Sequence, residues 1–273
     1  MRVRLATCAA KPDRANEDFA AAVPGAVVLL DGAGPPAGMP SGCVHGTAWY
    51  ARTLGGLLLA EIQPGRQLAE SLGRAIERVN ALHGAACDLA HPGTPSATVA
   101  MARLQDGKLD HLVLADSVLV LDRKGADPAV MSDDRLAVTT RELRKDLDAL
   151  PTGSAEHTAA LRSFTEALAG YRNRPGGFWV ASTDPQAADQ ALTGSNAGDE
   201  LRALAVLSDG ASRLVDRFGL LTWPGLLDVL RQDGAEALIA RTRAAERDDP
   251  EGRRWPRGKT HDDATAIFWQ LSD

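Results

Sequence analysis

Hydrophobic positions along the chain follow two patterns, one typical of strands and one of helices. Short apolar runs bounded by turn residues predict strands at 3–8, 26–30, 98–104, 109–115, 118–122, 178–182, 201–207 and 264–271. Apolar positions at helical spacing predict helices at 41–61, 67–82, 226–231 and 235–246, and a mostly helical stretch at 133–171 with a break at 151–153. Two consecutive helices follow the first two strands, which argues against a strict alternation of strand and helix. We expect antiparallel hairpins, sheets packed together, and helices covering them outside.

Acidic residues stand at the boundaries of these strands. Asp31 and Asp209 each follow an apolar run and precede a glycine. Asp262 lies just before the last strand, and Asp18 closes the segment Asn16-Glu17-Asp18. Several carboxylates gathered at the rim of a sheet repel one another unless a divalent cation lies among them. The pattern therefore predicts a site for a hard metal ion, and a metal site suggests hydrolysis.

Composition and charge narrow the class of protein. A chain of 273 residues fits one large domain as well as it fits two, and a hydrophobic content of 44% is ample for a core. A net charge of -6 gives no electrostatic reason to expect nucleic acid, and no apolar run reaches the roughly 18 residues of a membrane span. The three cysteines, Cys8, Cys43 and Cys87, suit a reducing cytoplasm better than a disulfide framework. We expect a cytoplasmic protein without a nucleic-acid or membrane partner.

Six short motifs then occur in a fixed order. They are Asn16-Glu17-Asp18, Asp31-Gly32, Pro95-Ser96-Ala97-Thr98, Ala115-Asp116-Ser117, Ser208-Asp209-Gly210 and Asp262-Asp263-Ala264-Thr265. Their order and rough spacing resemble those of the metal-dependent serine/threonine protein phosphatases, the type 2C or PPM family, in a bacterial-type single-domain form. The resemblance implies one α+β domain over residues 1–273. It would be an αββα sandwich of two antiparallel β-sheets packed face to face, with helices on both outer sides and a variable, mostly helical insertion around 123–200.

The resemblance also implies a binuclear Mn²⁺ or Mg²⁺ site. Asp31 would bridge the two ions, and the carbonyl group of Gly32 would bind one of them. Asp209 and Asp262 would hold the ion that helps to bind the nucleophilic water. Two such ions, roughly 3.5–4 Å apart, can acidify a bridging water and stabilise the phosphoryl oxygens during in-line attack. The implied activity is hydrolysis of phosphoserine and phosphothreonine in a phosphorylated protein substrate, by a protein that we expect to be a monomer.

Two further aspartates have counterparts in the family. Asp18 would support the site directly or through water, and Asp116 matches an aspartate that in some relatives contacts a third, weaker ion. A ligand set made only of oxygen favours Mg²⁺ or Mn²⁺ over Zn²⁺, which prefers nitrogen and sulfur. A zinc hydrolase is disfavoured, because the H-x-x-H or H-E-x-x-H spacing of that class is not found at His83, His91, His111 or His157.

Substrate-binding positions depart from the family pattern. The position of the usual phosphate-binding arginine is Asp13, and Arg14, one residue later, is the candidate for substrate binding. The residue after Asp-Gly, a histidine in animal members, is Ala33. His45, near the start of the following helix, is the candidate general acid, although a histidine at a helix start is more often structural.

Other changes concern charge. Asp263 replaces an asparagine and adds negative charge beside the metals, and Val118 replaces an arginine. A cluster of cations precedes Asp262, and it consists of Arg253, Arg254, Arg257 and Lys259. These cations could meet a phosphorylated partner or balance nearby carboxylates.

Two alternatives to a phosphoprotein phosphatase stay open. One is a catalytically weak phosphatase-fold domain with a binding or regulatory role, against which the retained aspartates argue. The other is a phosphatase of small phosphoesters, which the missing arginine at Asp13 leaves open.

Overall fold

The computed structural model describes residues 2–36 and 38–271. Its strands are β1 Arg2–Cys8, β2 Asp18–Val23, β3 Ala26–Ala33, β4 Ser96–Gln105, β5 Lys108–Leu114, β6 Val118–Arg123, β7 Ala129–Met131, β8 Leu192–Ala197, β9 Leu201–Leu207 and β10 Ala264–Gln270. Its α-helices are α1 Thr47–Glu61, α2 Leu68–His83, α3 Arg135–Asp148, α4 Ala155–Leu168, α5 Asp209–Asp216, α6 Trp223–Gln232 and α7 Ala235–Asp248. Short 3₁₀ turns lie at Gly84–Ala86, Pro185–Gln190 and Gly198–Glu200.

The strands form two antiparallel sheets. The first has the order β1-β10-β9-β6-β7 and the second the order β2-β3-β4-β5-β8. A tight turn at Asp106-Gly107 joins β4 to β5, and both residues have positive φ angles, 51° and 75°. Positive φ at both central residues is what a tight hairpin turn requires, and Asp-Gly supplies it at low cost.

The two sheets pack face to face because their central strands are apolar on both sides. In β3, Val27 and Leu29 point into the core between the sheets, where they meet Ile267 and Trp269 of β10. Val28, from the other face of β3, packs in the cluster under α1 and α2. A strand buried on both faces reads as a continuous apolar run, which is the pattern of residues 26–30. The predicted sandwich of two antiparallel sheets is confirmed.

Helices cover both outer faces. Helices α1 and α2 pack on the second sheet, and α5, α6 and α7 pack on the first. Helices α3 and α4 contact each other, and the break between them falls at the predicted Pro151-Thr152-Gly153. The segment 123–200 also supplies β7 and β8, the last strand in each sheet. In the part of the chain that the structure describes, no helix is both long enough and apolar enough to cross a membrane.

Several predicted boundaries were wrong. Strand β2 was not predicted, because its sequence Asp-Phe-Ala-Ala-Ala-Val is half alanine, a residue depleted in strands, and has a single β-branched residue. The helix expected from Ser41 begins at Thr47, since Gly42 and Gly46 have φ angles of 67° and 81°. The strand expected at 178–182 is reduced to isolated bridges, and Asp209 begins α5 where a strand end was expected.

Candidate active site

The second sheet contributes two aspartates from neighbouring strands. Asp18, the first residue of β2, is paired directly with Asp31 of β3. The β2 and β3 backbones are held close there, because the N–H group of Gly32 donates to the carbonyl of Glu17 at 3.1 Å. A Cβ atom at Gly32 would lie 2.5 Å from that carbonyl oxygen. Glycine is therefore the residue that fits beside Asp31.

The first sheet contributes Asp209 and Asp262 from the adjacent ends of β9 and β10. The N–H group of Ser208 donates to the carbonyl of Thr265 at 3.0 Å, which fixes the two strand ends side by side. A Cβ atom at Gly210 would lie only 1.9 Å from the carbonyl oxygen of Asp263. The glycine after Asp209 thus allows the start of α5 to rest on the backbone next to Asp262.

Asp263 connects the two sheets. Its Oδ1 accepts a hydrogen bond from the N–H group of Ala10, and its Oδ2 accepts one from the N–H group of Glu17, both at 2.7 Å. Ala10 and Glu17 belong to the connection between β1 and β2, so this carboxylate places Asp18 relative to β10. From the sequence, Asp263 was expected to add negative charge beside the metals; in the structure this charge is also bound by two backbone dipoles.

These aspartates interact strongly with one another. Burial, and then the charges of Asp263, Asp262 and Asp209, raise the pKa of Asp18 from 3.8 to about 7. Burial, followed by the charges of Asp18, Asp209 and Asp262, raises the pKa of Asp31 well above 3.8. The predicted ligands from both sheets therefore lie in one cluster at one rim of the sandwich.

The donor atoms fit a hard divalent cation. Both carboxylate oxygens of Asp18 are buried and have no hydrogen-bond partner among the described residues. The hydroxyl group of Thr265 is close enough to oppose the rise in the pKa of Asp18, but it makes its hydrogen bond to Thr7, at 2.7 Å. Buried carboxylate oxygens without a partner are energetically costly. A cation bound by several such oxygens would remove that cost.

Asp116 lies in the connection between β5 and β6 and joins the same cluster. Burial, and then the charge of Asp209, raises the pKa of Asp116 to about 7. The preceding Ala115 has a φ angle of 67°, in the left-handed region that alanine rarely adopts. The carbonyl of Ala115 accepts a hydrogen bond from the N–H group of Asp133 at 3.1 Å, which holds this conformation. Backbone strain of this kind is concentrated at functional sites.

Asp262 differs from the other aspartates because two cations contact it. Lys259 Nζ lies 2.6 Å from its Oδ1, and Arg213 Nη2 lies 2.9 Å from its Oδ2. Burial acts to raise the pKa of Asp262, but Lys259 and Arg213 outweigh burial and lower it. Asp262 raises the pKa of Lys259 in turn, and Asp31 and Asp209 add to that effect. The Lys259 side chain is 54% exposed, and its ammonium group binds Asp262 at the carboxylate cluster.

A buried ionic network holds Arg213 in place. Glu246 of α7, which is fully buried, accepts hydrogen bonds from Arg213 Nη1 and from Arg243 Nη1, both at 2.7 Å. Arg243 Nη2 also donates to the carbonyl group of Asp262. These residues were not predicted from the sequence. The available signal was a charged residue on the apolar side of each helix, at Arg213 in α5 and Glu246 in α7.

Two other predicted site residues lie outside the carboxylate cluster. The side chain of Arg14 is 57% exposed, and its ion-pair partner is Glu17 at 4.0 Å, so Arg14 lies at the rim. His45 contacts a different group of residues: its Nδ1 is 3.3 Å from Cys87 Sγ, and its ring stacks on Trp49 at 4.1 Å. The roles predicted for Arg14 in substrate binding and for His45 as general acid stay predictions.

The cations before Asp262 have separate roles. Arg257 is buried and binds Asp249 at 3.1 Å, so it organises the loop. Arg253 pairs with Glu251 at the surface, and Arg254 lies over the ring of Trp255. Of these four residues, Lys259 is the one that contacts an aspartate of the site.

Comparison with known proteins finds similarity in structure and not in sequence. No family model matches the chain, and no curated protein matches it. The PPM Ser-Thr phosphatase MsPP from Mycobacterium smegmatis, solved in complex with cacodylate, superposes with a TM-score of 0.59 at 17% identity, covering 100% of this chain and 99% of that one. The catalytic domain of the serine/threonine protein phosphatase PstP, solved with two manganese ions, superposes with a TM-score of 0.57 at 15% identity, covering 100% of this chain and 98% of that one. The serine/threonine phosphatase PstP/Ppp of Mycobacterium tuberculosis superposes with a TM-score of 0.56 at 16% identity, covering 100% of this chain and 99% of that one.

These similarities extend over the whole chain and define a class of fold. The protein has the two-sheet α+β fold of the PPM serine/threonine phosphatases. The resemblance indicated by the six sequence motifs is thus confirmed in three dimensions, at the level of the fold.

Proposed function

We propose that this protein is a Mn²⁺- or Mg²⁺-dependent phosphatase that hydrolyses phosphoserine and phosphothreonine in a protein substrate. The observation that carries the proposal is the convergence of Asp18, Asp31, Asp209 and Asp262 from two different sheets on one rim. The buried and unpartnered oxygens of Asp18 support a cation there. The fold shared with PstP, whose catalytic domain was solved with two manganese ions, supports the same assignment.

The residues that would hold the ions are Asp18, Asp31, the carbonyl group of Gly32, Asp209, Asp262 and, for a third and weaker ion, Asp116. When bound, the ions neutralise the carboxylates, make a water nucleophilic and stabilise charge on the phosphoryl oxygens. Arg213 orients Asp262 and keeps it ionised, since it donates to Oδ2 at 2.9 Å. The ammonium group of Lys259, which binds Asp262 beside the ions' ligands, would also donate to a phosphoryl oxygen of the substrate.

A groove beside Asp116 favours a polypeptide substrate over a small phosphoester. It has a volume of about 580 Å³ and lies between α3, α4 and Arg217, with cations contributed by Arg141, Arg144 and Lys145. Burial, and then repulsion from Arg144 and Arg213, lowers the pKa of Arg217. Arg144 is paired with Asp148 of the same groove at 3.2 Å, and the guanidinium groups of Arg141 and Arg217 would bind anionic groups of a substrate chain. A small phosphoester would not extend into this groove.

Metal-dependent turnover of a phosphopeptide tests the proposal. We expect phosphate release that requires Mn²⁺ or Mg²⁺, and we expect Asp31→Asn and Asp209→Asn to reduce it to the background rate. Asp106→Asn is the matched control, because Asp106 lies in the exposed β4–β5 turn, where asparagine tolerates the positive φ angle. Activity that survives both substitutions at the rim would refute the mechanism.

Two measurements separate the alternatives. Titration calorimetry with Mn²⁺ should detect binding that Asp31→Asn weakens; absence of binding would favour a regulatory domain. Arg141→Ala should lower kcat/KM for phosphopeptides about tenfold, the effect of losing roughly 1.4 kcal/mol of binding, and leave p-nitrophenyl phosphate unaffected. Arg247→Ala, at the exposed end of α7, should change neither. Equal losses with both substrates would favour a small phosphoester.

A further inference from the structure

A second cluster of potential ligands lies apart from the aspartates, where α1 begins and α2 ends. It consists of Cys43, His45, His83 and Cys87, and one ligand atom from each residue lies within 4.8 Å of the others. Cys43 and His45 lie just before α1. His83 is the last residue of α2, and Cys87 follows the short turn after it. The four residues thus come from two segments that are far apart in sequence.

Four of the six distances between these atoms match a tetrahedral metal site. Cys43 Sγ lies 3.7 Å from Cys87 Sγ, 3.6 Å from His83 Nδ1 and 3.8 Å from His45 Nδ1, and Cys87 Sγ lies 3.3 Å from His45 Nδ1. Four ligands around Zn²⁺, with Zn–S of about 2.3 Å and Zn–N of about 2.0–2.1 Å at tetrahedral angles, stand about 3.3–3.8 Å apart. The two remaining distances, from His83 to His45 and to Cys87, are within 4.8 Å, so the four ligand atoms lie close enough to surround one ion.

We propose that Cys43, His45, His83 and Cys87 bind a structural Zn²⁺ ion. Two thiolates and two neutral imidazoles neutralise the charge of the ion, so the completed site carries no net charge into the protein. Sulfur and imidazole nitrogen are ligands that Zn²⁺ prefers, whereas Mn²⁺ and Mg²⁺ prefer oxygen. Because four protein ligands fill a tetrahedral site, no position remains for a substrate, and the role is structural.

The surroundings of the cluster are organised as a metal site would need. The N–H group of His45 donates to Cys43 Sγ at 3.4 Å, a contact that stabilises a thiolate. Trp49 stacks on the His45 ring and meets the His83 ring edge-on at 4.9 Å, which fixes the orientation of both imidazoles. A backbone hydrogen bond of 2.7 Å from the N–H group of Asp88 to the carbonyl of Gly42 joins the two segments beside the ligands.

A disulfide between Cys43 and Cys87 is the competing interpretation. The structure has both cysteines free. A disulfide would use neither His45 nor His83, yet both rings point a nitrogen at the same centre. The Zn²⁺ ion would attach the connection that follows Asp31 and Gly32 to the end of α2. It also gives His45 a role as a metal ligand in place of general acid.

Metal analysis of the purified protein tests this assignment. Protein produced with added zinc and dialysed against metal-free buffer should retain about one Zn²⁺ per chain by mass spectrometry. Cys43→Ser and Cys87→Ser should lose it. Cys8→Ser is the matched control, because Cys8 lies in β1 outside the cluster, and it should retain the ion. A zinc content near zero in the wild type, or equal content in Cys43→Ser and wild type, would overturn the proposal.

Cobalt substitution gives a readout that does not depend on a variant folding. Wild type and Cys8→Ser loaded with Co²⁺ should show the thiolate charge-transfer and tetrahedral d–d absorption bands, and absence of these bands overturns the site. Alkylation of the denatured protein followed by mass measurement should find all three cysteines as thiols; a Cys43–Cys87 disulfide in the zinc-supplemented protein would likewise contradict it. Asp31→Asn should retain zinc while it loses phosphatase activity, so this result stands or falls separately from the proposed function.

Discussion

Arg213 donates a hydrogen bond to Glu246 at 2.7 Å, and the two side chains are only 6% and 0% exposed. A buried ion pair is a weak source of stability in itself, because both charges must leave water. Removal of one partner is much more costly, since it leaves a charge buried without compensation. Glu246 compensates both Arg213 and Arg243, and Arg213 in turn orients Asp262.

Glu246→Gln should therefore destabilise the protein by about 3–5 kcal/mol. Glu251→Gln is the control, because Glu251 pairs with Arg253 at the surface, where both side chains are more than half exposed. Such a pair contributes about 0–1 kcal/mol. Urea unfolding of the two variants measures the difference, and equal losses would show that the buried network does not stabilise the site.

Gly210 provides a steric test of the arrangement at the rim. Gly210→Ala forces a methyl group against the backbone of Asp263, so we expect a loss of about 1–3 kcal/mol in the free energy of unfolding, together with weaker Mn²⁺ binding. Gly56 lies in the exposed middle of α1, where a Cβ atom meets nothing within 4 Å. Gly56→Ala should therefore raise the free energy of unfolding, by at most about 1 kcal/mol. Chemical denaturation and titration calorimetry measure both effects. An alanine at 210 without consequence would mean that α5 does not rest on Asp263.

Asp18 should destabilise the protein when no divalent cation is present. Its pKa is about 7 in the folded protein against an ordinary value of 3.8, so the cost of ionising it grows between these values and is complete above pH 7. In a chelator at pH 8, Asp18→Asn should raise stability by about 1–3 kcal/mol. With Mn²⁺ present, the wild type should gain more than the variant.

Thermal unfolding of the wild type and of Asp18→Asn, each with and without Mn²⁺, measures whether the effect of the substitution depends on the ion. Asp106→Asn serves again as the control and should respond to Mn²⁺ as the wild type does. A variant at position 18 that is less stable than the wild type in chelator would argue against electrostatic repulsion at the rim.

Asp249 should give the opposite dependence on pH. Its carboxylate accepts hydrogen bonds from the N–H groups of Arg253 and Trp255, both at 2.9 Å, and from the buried Arg257. Burial acts to raise the pKa of Asp249, but these hydrogen bonds lower it below 3.8. A depressed pKa contributes stability above the ordinary value, and this contribution is lost as the pH falls through the folded value.

Asp249→Asn should therefore lower the free energy of unfolding by about 3 kcal/mol at pH 7. The difference in this free energy between variant and wild type should shrink as the pH falls below 3.8. Denaturation curves at a series of pH values measure it. The neighbouring and exposed Asp248 offers the control Asp248→Asn, which should show no such trend. A difference independent of pH would assign the effect to packing and not to charge.

The elements that were predicted best are those whose signal is local. Strand 201–207 is observed with the predicted limits, and the interruption at Pro151-Thr152-Gly153 separates α3 from α4. Proline and glycine act on the backbone at their own positions, so their effects can be predicted from sequence. Strand β2 could not be predicted from the sequence, because its alanines form a strand only through pairing with β3.

The acidic rim was predictable because Asp31, Asp209 and Asp262 each stand next to a recognisable strand, and Asp18 closes the motif Asn16-Glu17-Asp18. The network of Arg213 and Glu246 was not, since a charge on the buried side of a helix acquires its partner only when α5 and α7 pack together. The cysteine and histidine cluster was not predicted for a related reason. Cys43 and His83 are brought together by the packing of α1 against α2, and the ligands do not have the short sequence spacing of a recognisable metal-binding motif.

The hydrogen bonds of Asp263 to Ala10 and Glu17 have a consequence for assembly of the molecule. Each sheet alone carries only part of the acidic rim, so repulsion among the carboxylates arises at the step in which the two sheets come together. Divalent cations present during that step would remove the repulsion as it forms. Refolding in Mn²⁺ would then be faster at its final stage than refolding in chelator, while formation of the separate sheets would be unaffected.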